Sequence, residues 1–457
     1  MTFLHPEFYL LFPLLLAVYW LIPSHRIRKY FLLVCNCYLY AWWDCRFLFL
    51  VLGQAGLDYF LARTIEHTDQ HFRRTTLLLV SLGINLSLLA FFKYCNFFLQ
   101  SLAELTGDHF SLLNIILPLG ISFYTFRAVS YVVDVYQKRM RATNSLADHL
   151  LFMTFFPVML AGPIVRANHL MPQLRHSRSF CLDHLSRGFA LLVTGLFQKI
   201  FIADRLAFFV NQVFADYPVY ASLTCWLAIL AYTAQIFCDF QGYSNMAIGV
   251  SRMLGYDIPR NFDWPYLATS ISEFWRRWHI TLSTWIRDYI YIPLGGNRKG
   301  AVRTYANLLM AMSLCGLWHG AAWSFVVWGL FHGLALAVHR VWKNSSTGKL
   351  PFLPALIFTQ LTVIAGWVLF RASDLQQAAG FLLRLVIVQD GVQWPQPFVI
   401  GTILLGILLH GYRLIHRQDI PLLPARAWYT PTVLFCMLWL VLVFPPKEFA
   451  PFVYARF

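Results

Sequence analysis

Apolar residues fall in long runs separated by short polar breaks, near positions 8–22, 31–43, 46–62, 77–99, 112–127, 147–165, 186–203, 205–215, 219–238, 304–318, 320–338, 353–370, 397–410 and 430–445. The longer runs match the ~20 residues that a helix needs to cross a hydrocarbon core of ~30 Å. Several others are too short to span alone, and in a polytopic protein such runs belong to re-entrant or broken helices, which survive at membrane depth only when buried in protein or lining a cavity. The pattern therefore predicts an all-α polytopic membrane protein with about 11–13 membrane helices, short and re-entrant segments included. It shows no convincing internal repeat, no low-complexity tract and no linker long enough to separate domains, so residues 1–457 read as a single membrane-embedded domain.

The stretch from Ala268 to Arg303 departs from this pattern. Ser270 and Glu273 have the spacing of a capping box, which opens a helix. The helix it predicts carries Phe274, Trp275, Trp278, Ile280, Leu282, Trp285 and Ile286 with Arg276, Arg277 and Arg287 between them, and stops near Pro293. Apolar residues interleaved with bases describe a helix lying at the interface or partly sunk in the protein, not an ordinary span. From Ser270 to Arg303 the bases Arg276, Arg277, Arg287, Arg298, Lys299 and Arg303 outnumber the acids Glu273 and Asp288, an excess able to attract a polyanion.

Composition sharpens the class. Charged residues are 12% of the chain against 58% hydrophobic, about half the globular norm, which excludes a soluble enzyme around one buried core. The net charge of +15 collects in short loops between runs, where the positive-inside rule accounts for most of it and nucleic acid need not be invoked. Arg26-Ile27-Arg28-Lys29, Arg73-Arg74 and Lys138-Arg139-Met140-Arg141 read as cytoplasmic, with the N-terminus outside. The first apolar run lacks a basic leader and a small-residue cleavage site and reads as a retained span. Nine scattered cysteines, without zinc spacing and odd in number, read as packing residues; no metal site is expected.

Against this background Trp318-His319-Gly320 stands out. No Lys, Arg, Asp or Glu occurs from Asn307 to Phe331, so His319 lies inside an uncharged span. An ionisable group at membrane depth is a functional-site candidate by default. A neutral imidazole bonded to a carbonyl is the structural alternative. His279 lies 40 positions earlier in the aromatic, basic segment and is either a companion ring or an interfacial histidine. His332, 13 residues beyond His319, is rotated by about 220° on an unbroken helix and should face elsewhere. Gly316 with Gly320, and Gly329 with Gly333, have the spacing that lets neighbouring helices approach closely; a channel beside the imidazole is the functional variant. Asp239, embedded in an apolar region, suits either orientation of a base or substrate, or a helix-end or structural hydrogen bond. A histidine with an ordinary pKa near 6.5 can take the proton of an attacking hydroxyl, typically worth ~10²–10⁴ in rate. Phosphate loops, metal-ligand clusters, nucleophile elbows and dinucleotide fingerprints do not occur in the sequence, which removes ATP hydrolysis, zinc hydrolysis and serine-esterase chemistry from the leading candidates.

These residues belong to a longer likeness. Asp239-Phe240-Gln241-Gly242-Tyr243-Ser244-Asn245-Met246-Ala247-Ile248-Gly249, Asn261-Phe262-Asp263-Trp264-Pro265-Tyr266, Phe274-Trp275-Arg276-Arg277-Trp278-His279-Ile280-Thr281-Leu282-Ser283, the run from Arg287 to Arg298 and Trp318-His319-Gly320 resemble the membrane-bound O-acyltransferase family, in its bacterial alginate O-acetylation branch. Leu117 to Phe126, Phe155-Phe156-Pro157 and Ala161-Gly162-Pro163-Ile164 are similar as well, and the likeness is densest from about 235 to 335. The resemblance implies a fold around a central tunnel in a bacterial inner (cytoplasmic) membrane. It implies that His319 matches the catalytic histidine and His279 the second family position, with no permanently bound cofactor and acetyl-CoA as donor. Arg276, Arg277, Arg298, Lys299, Trp318 and Asp239 are the candidates for substrate or donor contacts. The acceptor implied is an extracytoplasmic polysaccharide, alginate-like as the first choice with peptidoglycan or cellulose as alternatives, or a periplasmic acetyltransferase protein that completes the transfer. From other classes, a polysaccharide or proton-coupled transporter using His319 and Asp239 as a relay is weakened by the missing repeat. A purely structural subunit of an export complex does not account for the two histidines.

Overall fold

The computed structural model describes residues 3–345, 350–416 and 427–445. Among them the regular structure is helical, with one isolated bridge between Tyr220 and Val392. Chain contacts divide into two compact units, Met1–Leu192 with Met246–Pro259, and Val193–Asn245 with Arg260–Phe457. Seven helices are long and apolar enough to cross a membrane, and three shorter apolar helices accompany them, among the described residues.

The first unit contains α1 (Pro6–Leu21), α2 (His25–Ala41), α3 (Cys45–Glu66), α4 (His71–Thr106), α5 (Ile121–Tyr136), α6 (Leu146–Thr154) and α7 (Ala167–Arg175). Ser24, Asp44 and Ser145 open α2, α3 and α6 by accepting backbone N–H groups that have no intrahelical partner. The 112–127 run is non-helical up to Gly120, whose left-handed conformation (φ 75°) and direct approach to the Met159 carbonyl no side chain would permit; α5 starts at the next residue. Between α3 and α4, Asp58 accepts from Ser81 Oγ at 2.6 Å and from Asn85 Nδ2 at 3.0 Å, so a carboxyl in an apolar hairpin is hydrogen-bonded from the facing span.

Helices α8 (Leu182–Ala215) and α9 (Ser222–Met253) pass from one unit into the other. The runs 186–203 and 205–215 thus form one helix, joined through a π-helical turn at Phe197–Ala203. The run 219–238 extends to Met253 because Asp239, Gln241, Ser244 and Asn245 find protein partners and need no water.

In the second unit follow α10 (Ile271–Arg277), α11 (Ile280–Ile286), α12 (Gly300–His319), α13 (Trp323–Ser345), α14 (Phe352–Arg371), α15 (Leu375–Val386), α16 (Pro397–Ile415) and α17 (Thr430–Val443). The single helix expected from Ser270 to Pro293 is broken at Trp278-His279 into two short pieces, the second continuing into a π-helical turn at Arg287–Tyr291. Its capping box is half formed. Ser270 Oγ accepts from the Glu273 amide at 3.2 Å, whereas Glu273 turns to the Thr269 amide and hydroxyl, both at 2.9 Å. Helix α15 was not visible as an apolar run; Asp374 caps it by accepting the Gln377 amide at 2.8 Å.

Helices α12 and α13 form a tight hairpin because glycines line its seam. A Cβ on Gly316 would stand 2.0 Å from the Phe325 carbonyl oxygen, and one on Gly329 2.2 Å from that of Met312. Close helix packing is therefore the use of these glycines. Gly316→Ala and Gly329→Ala should each lower the Tm in detergent, at the upper end of the ~1–3 kcal/mol typical of overpacking. Gly401→Ala, where a Cβ meets open space, should leave the Tm unchanged or raise it slightly.

Candidate active site

The break in the α10–α11 segment is built around Asn261. Trp278 ends α10 by donating its amide to the Phe274 carbonyl at 2.8 Å, and His279 takes a left-handed conformation at φ 41°, ψ 53°. A non-glycine residue there stores strain that the surroundings must hold. They do so through Asn261. Its carbonyl accepts the Ile280 amide at 2.8 Å, and its side-chain Oδ1 accepts from Thr281 Oγ1 at 2.6 Å and from the Thr281 amide at 3.4 Å. Because a backbone N–H can only donate, the amide atom facing it is oxygen. The same oxygen lies 3.3 Å from His279 Nδ1, so that nitrogen is the donor. Asn261 Nδ2 donates to Ser244 Oγ of α9 at 3.2 Å, which completes the amide's placement.

His319 reaches the same place from α12, of which it is the last residue. Its ring centroid lies 6.5 Å from that of His279. Trp318, Trp328 and Phe370 surround it at 5.0, 5.1 and 5.3 Å, each edge-on. Phe240 meets His279 edge-on at 4.5 Å, and the Trp318 ring lies 6.0 Å from the same imidazole. His279 and His319 are 0% and 2% exposed, so both are buried with these rings against them. Behind it Trp278 stacks on Phe274 and meets Phe262 and Trp367.

The structure thus brings His279, His319 and Trp318 together. His332 stays away from His319, with Trp328 between them at 4.9 Å from its ring. The helical rotation expected from an unbroken helix is not the reason, since Gly320 to Ala322 interrupt it. Asp239 lies next to Phe240 but forms an ion pair with Lys199 at 2.6 Å, and Lys199 also binds Asp204 at 2.7 Å. Arg277 pairs with Glu273 at 2.8 Å and donates to the Asp263 carbonyl at 3.1 Å, which ties α10 to the segment after Asn261. Burial pushes the Glu273 carboxyl up, but the Thr269 hydrogen bonds and the Arg277 guanidinium outweigh it and hold the acid below its ordinary value. Arg276, Arg298 and Lys299 are exposed and take no part in this packing.

The family model for membrane-bound O-acyltransferases matches residues 138–347, a range that contains both histidines, Asn261 and the glycine hairpin. The chain is 43% identical over 378 residues to the probable alginate O-acetylase AlgI of Pseudomonas putida, covering 81% of this chain and 77% of that protein. It belongs to the membrane-bound O-acyltransferase family. The AlgI protein of Pseudomonas aeruginosa is 41% identical, with 81% and 72% covered, and the peptidoglycan O-acetyltransferase of Helicobacter pylori is 36% identical, with 78% and 73% covered. The protein is a multi-pass membrane acyltransferase.

In this acyltransferase the sequence reading left Asn261, Phe240, Trp328, Phe370 and Lys199 without a role. Lys199 carried a usable signal, a base within an apolar run. Asn261→Ala should release His279 from its fixed orientation and lower kcat by about tenfold to a hundredfold. The donor KM should change little, a split readable from initial rates in membrane vesicles.

Proposed function

We propose that the protein transfers acetyl groups from cytoplasmic acetyl-CoA, through the bacterial inner membrane, for O-acetylation of an extracytoplasmic polysaccharide. The observation that carries this reading is the buried apposition of His279 and His319, whose ring centroids are 6.5 Å apart although they come from different elements. His319 is the general base. Its imidazole takes the proton of an acceptor hydroxyl as that oxygen attacks the thioester carbonyl, and the tetrahedral intermediate collapses with loss of CoA thiolate. The imidazolium then returns the proton to the departing thiolate, so base and charge are restored. His279, held by Asn261 through Nδ1, keeps Nε2 for a second hydroxyl of the acceptor, which donates to it and fixes the approach of the attacking one. The aromatic walls exclude bulk water, which protects the thioester from hydrolysis.

Exposed Arg298 and Lys299 suit the phosphates of CoA. An alginate-like polymer is the acceptor best supported, since relatives at 41% and 43% identity are named alginate O-acetylases; the peptidoglycan enzyme at 36% makes peptidoglycan the second choice. Whether acetate reaches the polymer directly or by way of a periplasmic acetyltransferase is decided by reconstitution with and without periplasmic extract. Deleting the gene and assaying ester-linked acetate on each surface polymer identifies the acceptor: alginate should lose it, and loss from peptidoglycan alone would overturn that choice.

His319→Ala should leave the protein folded and in the membrane while lowering kcat by ~10²–10⁴, the usual weight of a general base. Undiminished transfer by the purified variant would remove His319 from that role. The double charge reversal Arg298→Glu with Lys299→Glu should raise the KM for acetyl-CoA, most strongly at low salt, since exposed charges are screened as ionic strength rises. A KM that ignores both substitution and salt would leave these bases with topology alone.

A further inference from the structure

Lys199 is buried in α8 with 1% side-chain exposure, a cation within a span. The π-helical turn explains its posture. That turn aligns residues five apart, so Asp204 comes beside Lys199 on the same helix and holds its ammonium at 2.7 Å. The ammonium, fixed by its own helix, then meets Asp239 of α9 at 2.6 Å. Two further contacts fasten the same surfaces. A Cβ on Gly242 would stand 2.7 Å from the Gly195 carbonyl oxygen, and Asn245 Nδ2 donates to Gln198 Oε1 at 2.9 Å.

The opposite face of α9 holds the site. At 100° per residue, Asp239, Gly242 and Asn245 centre about 180° from Phe240 and Ser244. Phe240 meets the His279 ring at 4.5 Å, and Ser244 accepts from the Asn261 amide that orients it. The α9 segment 239–245 is therefore a strut with the π turn on one side and His279 on the other. A slip by one helical turn, about 5.4 Å, would break the ion pair and carry Phe240 and Ser244 out of contact.

The geometry points to Lys199 as a positioning residue for acyl transfer: through Asp239 it fixes the register of α9 that presents Phe240 and Ser244 to His279 and Asn261. The inference rests on the role of His279 proposed above.

The test uses the full chain in inverted membrane vesicles with radiolabelled acetyl-CoA and the endogenous acceptor, with rates normalised to folded protein. Lys199→Met should lower the maximal rate about tenfold or more with the acetyl-CoA KM within about twofold, as expected of misplacement without loss of binding. The triple variant Lys199→Met/Asp204→Asn/Asp239→Asn leaves no unmatched buried carboxylate and should regain Tm without regaining rate. Where Lys199→Met fails to fold, the triple variant decides alone. If that also fails, Lys199→Arg decides; it keeps the charge but cannot place a point cation between both carboxylates, so the rate should fall while Tm holds. A Lys199→Met rate within about twofold of the parent, an effect on KM alone, or a triple variant whose rate returns with its Tm would overturn the inference. His279→Ala run alongside separates the two levels. If it retains full rate, the reading of the site falls; if it is inactive while the Lys199 variants are unimpaired, the positioning role alone falls.

Discussion

A helix interrupted within an apolar protein leaves backbone groups that water cannot reach, and the interruption persists only where neighbouring residues satisfy them. At the α10–α11 break Asn261 meets that requirement. Its main chain takes the Ile280 amide, its side-chain oxygen takes Thr281 and His279, and two residues on Asp263 exchanges hydrogen bonds with Arg277 through main-chain and guanidinium groups. The strained left-handed conformation of His279 is held by the same contacts that make its Nδ1 the donor. Local fold and chemical readiness are thus one arrangement. Loss of Asn261 would free the backbone and the imidazole together.

His319 depends on a different device. The α12–α13 hairpin closes because Gly316 and Gly329 allow backbone atoms to meet across the seam, and Phe325 lies over Gly320, where a Cβ would come within 2.2 Å of its ring. With the seam shut, Trp318, Trp328 and Phe370 become the walls around the imidazole. Large aromatic rings suit this task. They supply extensive apolar area with few rotatable bonds, and edge-on packing keeps their relative angles defined. The glycines supply the proximity and the aromatics the shape.

Much of this was legible from the chain. The apolar runs gave the helical membrane class, and a lone histidine within an uncharged span marked the candidate site before any coordinates. What escaped reading was every feature that depends on partners distant in sequence. The segment from Ser270 to Pro293 has the apolar periodicity of one helix, and nothing local announces a break at Trp278; the cause is Asn261, seventeen residues upstream of that position. Runs 186–203 and 205–215 looked separate because Asp204 interrupts them, yet Asp204 stays inside the helix since Lys199 neutralises it. Asp239 was recognised as unusual, but its partner lies 40 residues earlier and was hidden by the hydrophobicity around it. The logic that singled out His319 applies equally to Lys199: an ionisable group in an apolar run implies a partner.

Burial alone does not distinguish a reactive histidine. His332 is 1% exposed, as hidden as His319, and it shares the Trp328 ring with it. Its setting differs in two respects. It lies in the middle of α13, where the backbone carbonyls are committed to the helix, and it is pressed so closely on α14 that a Cβ on Gly366 would stand 2.5 Å from its Nε2. Its ring is therefore closely covered by the neighbouring helix. His319 instead ends its helix, faces a second imidazole whose Nδ1 is a donor, and is bounded by rings from α12, α13 and α14. In the second unit the carboxylates Asp204 and Asp239 are engaged by Lys199, on the far side of α9 from Phe240 and Ser244. Charge is thus used to hold the scaffold, while the two imidazoles are packed against aromatic rings.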